Sequence, residues 1–355
     1  MKDSSPGVPS FIDIDKVSPE AIEKLVSALR ILPSGNLDIC MSKAVGVAAL
    51  QVQVKIYNDL PGYIADMNSY IAKAVNHRAQ IIVMPALAGL LPITTAPLGH
   101  AHLMQLNPAE KVEGVNYYMV GGAAIDPLAV RNMMSDISGY AFEAYFHTMS
   151  MLAARHRVYI MAGSTIYFDD YELCHRALLF NDQGTLAGYQ DKISQGPLEL
   201  ALGVRPGSEV KVFDTPMGPM SILVGSDASY FEIARVATRL GAKILLCPGV
   251  FVNAYGPVDS RLGANMRAQE NHIYAVLSSM VGETGLGFSL EGGGRLFAPN
   301  EFLIHKNGVA AKTSGRHSPD VASLLFNLDR LDDIENPYTQ DINEEFMLKN
   351  IERLY

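Results

Sequence analysis

The chain has 355 residues, of which 48% are hydrophobic and 18% are charged, and its formal net charge is −9. This length and apolar content suit one large compact domain with short extensions. The negative charge argues against nucleic acid or an anionic membrane surface as a partner, because both attract basic patches. The sequence also lacks a run of about 18 apolar residues that could span a bilayer.

The first residues of the chain and its cysteines indicate the cellular compartment in which we expect the protein. The first 14 residues contain two prolines and several polar residues, and they lack the apolar core of a signal peptide. Cys40, Cys174 and Cys247 are odd in number, scattered and without metal-site spacing. We therefore expect a protein of the reducing cytoplasm with neither a disulfide nor a structural metal.

The first half of the chain alternates between helical periodicity and short apolar runs. Ser-Pro-Glu at 18–20 supplies a helix cap, a proline in the first turn and an acidic residue. The apolar runs are typical of strands buried on both faces. In chain order we predict a helix over 19–31, a strand over 45–51, a helix over 62–78, a strand over 81–84, a helix over 138–155 and a strand over 158–163.

The second half adds hairpins to this alternation. Asn181-Asp-Gln-Gly184 is a turn signal between predicted strands over 178–180 and 185–188. Strands that alternate with helices and hairpins predict an α/β sandwich and not a purely parallel doubly wound sheet. The remaining predictions are strands over 220–224, 243–247, 274–279, 286–297, 301–304 and 324–328, and helices over 230–241 and 258–272.

Four stretches resemble, in order, the motifs of the nitrilase (carbon–nitrogen hydrolase) superfamily. They are Ala79-Gln-Ile-Ile-Val-Met-Pro-Ala86, Gly184-Thr-Leu-Ala-Gly-Tyr-Gln-Asp-Lys192, the stretch from Phe213 to Pro248, and Arg267-Ala-Gln-Glu-Asn271. Each block alone is a weak signal, but their order is specific. The resemblance implies a four-layer αββα sandwich over 46–335 that usually dimerises. An extension with a helix at 1–45 and a helical tail at 336–355 flank this domain.

The resemblance also implies a reaction and its residues. The family hydrolyses amides or nitriles, or transfers the acyl group, with a cysteine nucleophile, a glutamate base and a lysine that stabilises the oxyanion. Matched position by position, the lysine falls on Lys192, the glutamate on Ala86 and the cysteine on Gly225. Neither alanine nor glycine can take over these roles, and loss of the nucleophile in another covalent hydrolase costs about a factor of a million. We therefore expect no functional catalytic residue at these positions.

Four further residues are candidates for the pocket around Lys192: Glu199, Ser226, Asp227 and Tyr230. Lys192 needs an anionic or hydrogen-bonding partner because a buried unpaired cation is costly. We favour a structural pairing of Lys192 with Glu199 or Asp227 over a bound carboxylate or phosphate. Asp227 is interpreted as a helix cap.

Three functions remain open from the sequence. The leading hypothesis is a non-catalytic protein that binds a small anionic or amide ligand or acts as a partner subunit. The second is an active C–N hydrolase or acyl-transfer enzyme with relocated residues, although no base can be assigned to Ser226. The third is a structural homo-oligomer with a closed pocket. No cofactor and no metal are expected, because the glycine-rich runs at 282–287 and 292–294 lack the context of a nucleotide site and the histidines do not cluster.

The C-terminal tail predicts that the protein forms a homo-oligomer. Ile342, Phe346, Leu348, Ile351 and Leu354 recur at roughly helical spacing, which predicts a helix over 341–354. Its apolar face must be buried on its own domain or on another subunit. We expect a dimer or larger homo-oligomer.

Overall fold

The computed structural model of the protein describes residues 13–29, 44–97, 99–106, 118–120, 123–252, 260–334, 345–346 and 349. Cys40 and most of the predicted tail helix over 341–354 lie outside these residues. The helices are α1 (Pro19–Ala28), α2 (Leu60–Asn76), α3 (Gly99–Gln105), α4 (Pro127–His156), α5 (Pro197–Leu202), α6 (Phe231–Arg239) and α7 (Ser260–Asn271). Within the described ranges, no helix combines the length and the apolar character needed to cross a membrane.

Sixteen strands are described, and fourteen of them belong to one mixed sheet. The sheet runs in the order β7-β6-β5-β2-β1-β12-β11-β10-β9, with parallel pairing from β5 to β1 and from β1 through β12 to β10. The strands are β1 (Ala44–Gln53), β2 (Ile81–Val83), β3 (Tyr118–Val120), β4 (Ala123–Ile125), β5 (Tyr159–Asp169), β6 (Glu172–Phe180), β7 (Leu186–Asp191), β8 (Val204–Arg205), β9 (Val212–Phe213), β10 (Met220–Ile222), β11 (Ile244–Pro248), β12 (Tyr274–Glu283), β13 (Ser289–Leu290), β14 (Arg295–Phe297), β15 (Val309–Lys312) and β16 (Asp320–Asn327).

Three hydrophobic clusters show how this sheet is layered. Alternate residues of β1 point to opposite sides, so that Ala48 and Leu50 pack with α2 and α4 while Val47 and Ala49 face the other half of the sheet. In the same way Leu246 of β11 packs in the middle cluster, whereas Leu245 packs with α6 and α7. The clusters therefore separate helix, sheet, sheet and helix layers, and the predicted αββα sandwich is confirmed.

The strand predicted over 286–297 is divided into two short strands, β13 and β14, and two further predictions also differ from the structure. Helix α4 begins well before residue 138, at Pro127, because the Asp126 carboxylate accepts the Leu128 N–H at 2.9 Å and caps it. The strand predicted over 301–304 is wrong, because Asn300–Phe302 form a short 3-10 helix and Ile304 is 95% exposed. Gln269 accepts the Asn300 N–H at 2.9 Å and holds this turn against α7.

Candidate functional site

Lys192 follows the end of β7 and is almost completely buried. Its backbone N–H donates to the carbonyl of His175 on β6 at 2.8 Å, which carries the strand pairing one residue beyond β7. Its Nζ donates to Glu199 Oε2 at 2.6 Å and to the carbonyl oxygen of Ser194. The buried ammonium is therefore paired with Glu199, which is the structural partnership that the cost of an unpaired cation favours.

Glu199 lies in the first turn of α5 and accepts from three groups. Oε2 receives the Lys192 ammonium and the Gly196 N–H at 2.8 Å, and Oε1 lies 2.6 Å from His175 Nδ1. Burial opposes ionisation of this carboxyl, but His175 and Lys192 outweigh that effect and lower its pKa to about 2. Glu199 is therefore a carboxylate at neutral pH, and it compensates the charge of Lys192.

Gly225 lies beside this ion pair. It follows β10 and opens a 3-10 turn over Gly225–Ser229, with a φ of +57° that favours glycine. A Cβ placed on Gly225 would lie 3.5 Å from Lys192 Cε, which is ordinary van der Waals contact, and no other described atom beyond its chain neighbours would lie within 4 Å. A Cβ at 225 would therefore fit without a clash and would lie in contact with Lys192.

Asp227 anchors the loop that carries Lys192 to the turn after β10. Its carboxylate is buried and accepts the backbone N–H groups of Ile193, Ser194 and Val224 at 3.2, 2.7 and 3.3 Å. Burial raises the pKa of Asp227, and these hydrogen bonds offset the increase only in part. Asp227 therefore caps the 3-10 turn over Gly225–Ser229 and holds a second loop, whereas the following helix, α6, begins without a side-chain cap.

Ser226 is connected to this anchor through a neighbouring hydroxyl. Its Oγ lies 2.9 Å from Ser194 Oγ, and the Ser194 hydroxyl donates to Asp227 Oδ1 at 2.6 Å. Tyr230 is different: it is 48% exposed, and its described hydrogen bond is a backbone one to Asp227. The structure thus places Glu199, Ser226 and Asp227 around Lys192, and it describes no contact between Tyr230 and Lys192.

Ala86 lies just past β2, and the residue after it, Leu87, is linked to the site by a series of hydrogen bonds. The N–H of the next residue, Leu87, donates to Ser164 Oγ at 3.1 Å, and that oxygen lies 2.7 Å from His175 Nε2. His175 in turn contacts Glu199. Ala86 carries no polar side chain, so this end of the chain is held by its backbone neighbours.

His175 and Ser164 are the site residues that the sequence reasoning missed. Ser164 is fully buried on β5, and His175 is 5% exposed on the neighbouring β6. The alternation of β6 gave a usable signal, since His175 shares its face with Ala177 and Leu179, both in the cluster between the two sheet halves. A histidine at such a position requires a buried hydrogen-bond partner.

Neither described cysteine can replace a nucleophile at 225. Burial raises the pKa of Cys174 and of Cys247 to about 12, so both remain thiols at neutral pH. Cys174 lies on β6 and its thiol donates to the Tyr167 carbonyl, while Cys247 is packed in the cluster under α6 and α7. Both thiols are buried and contribute to packing.

Comparison with known proteins identifies relatives of this chain. The probable hydrolase YhcX of Bacillus subtilis is 31% identical over 179 residues, which are 48% of this chain and 34% of that protein. An omega-amidase of Xenopus tropicalis, NIT2, is 24% identical over 168 residues, 45% of this chain and 61% of that one. The aligned part therefore spans between about a third and three fifths of the length of these relatives.

Solved structures show the same fold. An amidase variant from Nesterenkonia sp. AN1, with the acetamide moiety of fluoroacetamide added covalently to its active-site cysteine, has a TM-score of 0.60 at 18% identity, over 86% of this chain and 96% of that one. Saccharomyces cerevisiae Nit3, a member of the nitrilase superfamily, has a TM-score of 0.59 at 15% identity, over 88% and 97%. The model of the carbon–nitrogen hydrolase family matches residues 46–322, and the chain belongs to this family.

Proposed function

We propose that this chain is a non-hydrolysing member of the carbon–nitrogen hydrolase family that binds a small neutral carboxamide. The observation that carries the proposal is the Lys192–Glu199 ion pair at 2.6 Å beside Gly225, where an added Cβ would contact Lys192 Cε at 3.5 Å without a clash. Gly225 stands where the resemblance puts the cysteine, and Ala86 stands where it puts the glutamate. Relatives named amidases support the carboxamide as the ligand class.

The charge of the site favours a neutral ligand over an anion. An unpaired Lys192 would attract a carboxylate, but Glu199 already provides the opposite charge at contact distance. A further anion would have to lie near both Glu199 and the buried Asp227. A carboxamide carries no charge, and it can both donate and accept hydrogen bonds to the lysine, the serines and the backbone.

A titration of matched ligands tests this proposal. We expect propionamide to bind and to raise the thermal stability of the wild-type protein, and propionate of the same size to have no effect. In Glu199→Gln, Lys192 loses its counter-charge, so the affinity for propionate should rise at least about ten-fold, which corresponds to 1.4 kcal/mol. Asp66→Asn is the control, because it removes a carboxylate paired with Lys55 elsewhere in the fold.

Two results would contradict the proposal. One is a wild-type protein that binds no carboxamide at millimolar concentration. The other is equal binding of propionamide and propionate to the wild-type protein, since that would show that Glu199 does not set the charge of the site.

A further inference from the structure

Asp227, Ser194 and Ser226 form a series of hydrogen bonds next to Lys192. Ser194 Oγ lies 2.6 Å from Asp227 Oδ1 and 2.9 Å from Ser226 Oγ. The carbonyl oxygen of Ser194 accepts from the Lys192 ammonium, so this serine contacts both the cation and the second hydroxyl. Ser226 also directly follows Gly225, where an added Cβ would contact Lys192 Cε. A ligand bound beside Lys192 would therefore lie close to Ser226.

The turn that carries Ser226 is in contact with solvent. Ser194, Gly225 and Ser226 are each only partly buried, although Lys192 between them is 5% exposed. In this respect Ser226 differs from Ser164, the other serine of the site, which is completely buried. A small ligand can therefore approach Ser226 from solvent.

The direction of each hydrogen bond in the series follows from Asp227. Its Oδ1 accepts the Ser194 N–H at 2.7 Å, and its Oδ2 accepts the N–H groups of Ile193 and Val224. A carboxylate has no proton to give, so the Ser194 hydroxyl donates to it. The Ser194 oxygen then has only lone pairs left, and the Ser226 hydroxyl donates its one proton to them. Ser226 Oγ therefore offers a ligand lone pairs and no proton.

Lys192 offers the complementary hydrogen-bonding group. An ammonium has three N–H donors. Among the described residues, Glu199 Oε2 and the Ser194 carbonyl engage Lys192 Nζ, which leaves one N–H for a ligand. A carboxamide accepts hydrogen bonds at its oxygen and donates them from its nitrogen. A donor on Lys192 and an acceptor of fixed polarity on Ser226 match these two ends of one carboxamide group.

We propose that Ser226 selects carboxamides over ligands that have a carbonyl group but no N–H. The inference rests on the proposed function, because it assigns the residue that recognises the amide nitrogen of that ligand. Lys192 donates to the ligand oxygen, and Ser226 Oγ accepts an N–H of the ligand. A ketone of the same size can make the first contact, but its methyl group would cover the lone pairs of Ser226 and leave them unpaired. A site that pairs with an N–H rejects the analogue that lacks it for this reason.

Propionamide and butanone test this selection, because butanone has a methyl group in place of the amide NH2 and keeps the carbonyl. By NMR titration we expect the wild-type protein to bind propionamide at least about ten-fold more tightly than butanone. Ser226→Ala should lower this preference to below about two-fold, and Ser226→Thr, which keeps the hydroxyl, should retain it. Ser314→Ala is the control, because the Ser314 hydroxyl also donates to a carboxylate, that of Asp320, at 2.8 Å elsewhere in the fold.

The outcomes separate this inference from the proposed function. A preference for propionamide that persists in Ser226→Ala overturns the role of Ser226 and leaves carboxamide binding in place, as does equal binding of the two ligands to the wild-type protein. Loss of the preference in Ser226→Thr as well would assign it to the shape of the turn and would also overturn the inference. A wild-type protein that binds no propionamide refutes the proposed function and this inference with it. Ser226→Gly is a second variant without the hydroxyl, so the decision does not depend on the folding of one variant.

Discussion

Glu199 contacts both basic partners of the site, His175 through one oxygen and Lys192 through the other, each at 2.6 Å. A single carboxylate therefore compensates the buried ammonium and also holds the imidazole ring. Because these contacts favour the charged form against the effect of burial, the pKa of Glu199 falls from 4.5 to about 2. A folded-state pKa below the unfolded one stabilises the protein above pH 4.5, and this stability is lost as the pH falls toward 2.

The free energy of unfolding should depend on pH through the titration of Glu199. Between pH 5 and pH 3 the free energy of unfolding of the wild-type protein should fall more steeply than that of Glu199→Gln, which has no group to titrate there. The full difference is on the order of 3 kcal/mol between pH 5 and pH 2. Urea denaturation at a series of pH values measures it. Parallel curves for the two proteins would show that Glu199 titrates alike in the folded and unfolded states.

Lys192→Met tests the same ion pair by removing its cation. The change keeps much of the side-chain length but leaves the Glu199 carboxylate without its ammonium, so the free energy of unfolding at pH 7 should fall by about 3 kcal/mol. The double variant Lys192→Met with Glu199→Gln removes both charges and should recover part of this loss. Chemical denaturation of the four proteins provides the cycle. A loss below about 0.5 kcal/mol in the single variant would show that the buried ion pair does not stabilise the fold.

The sequence predicted that Lys192 is paired, but it did not predict the contacts of His175 and Ser164. The pairing follows from the cost of a buried unpaired cation, and Glu199 lies close in sequence. The contact between Ser164 and His175 depends on the register of β5 against β6, which shifts between Met161 and Ser164. Such an irregularity decides which side chains meet, and local sequence gives little indication of it.

At the level of elements, β5 positions the end of β2 through a glycine. Gly163 has a φ of +82°, and a Cβ there would lie 1.9 Å from the carbonyl oxygen of Pro85, next to Ala86. The neighbouring atom is backbone, so it cannot move aside as a flexible side chain would. Close approach of the two chains, together with the unusual φ, requires glycine at this position.

Gly163→Ala should therefore be one of the most destabilising single changes near the site. We expect a loss of about 3 kcal/mol or more in the free energy of unfolding, from backbone strain and from the steric conflict with Pro85. Gly241→Ala is the matched control: Gly241 also has a positive φ, of +100°, but no described atom would lie within 4 Å of its Cβ. That control should lose only about 1 kcal/mol. Equal losses in thermal or chemical denaturation would mean that close packing at Pro85 contributes nothing.

The strands with buried apolar runs could be predicted from the sequence, and the two-residue strands could not. β1, β2, β5 and β11 are buried on both sides, so their apolar runs indicate strands without further information. The two-residue strands β8 and β9 carry no periodicity of their own. The turn at Asn300–Phe302 depends on Gln269 of α7, a partner about 30 positions away that propensity does not reveal.

At the level of the whole molecule, α6 and α7 form one outer layer with an apolar exposed side. Their inward residues, such as Ala234 and Ala268, are buried in the cluster that they share with β11 and β12. Large hydrophobic side chains are exposed on these two helices and on the residues directly before and after α6. They are Tyr230, Phe231, Val236, Leu240, Leu262 and Met266, which are between 39% and 62% exposed. Several large apolar side chains exposed on one layer favour association.

We therefore expect a dimer or larger assembly that uses this outer layer. One chain has a mass of 38.6 kDa. Light scattering at micromolar concentration should give at least twice this mass. Leu240→Glu with Leu262→Glu should shift the protein toward the monomer, because both charges would be buried unpaired at the interface. Leu128→Glu is the control, as Leu128 is 64% exposed at the start of α4, on the opposite layer. A monodisperse wild-type monomer would contradict this expectation.

The most direct test of the account is ammonia release from short-chain carboxamides by the purified protein. We predict that the wild-type chain releases no ammonia above the buffer background and that its intact mass stays unchanged, because Gly225 offers no nucleophile and Ala86 no base. Ala86→Glu with Gly225→Cys restores the two side chains that the resemblance puts at these positions, and this double variant should release ammonia or retain an acyl adduct on residue 225, while neither single variant should. Ammonia release by the wild-type protein that follows its concentration and survives further purification would contradict the central claim.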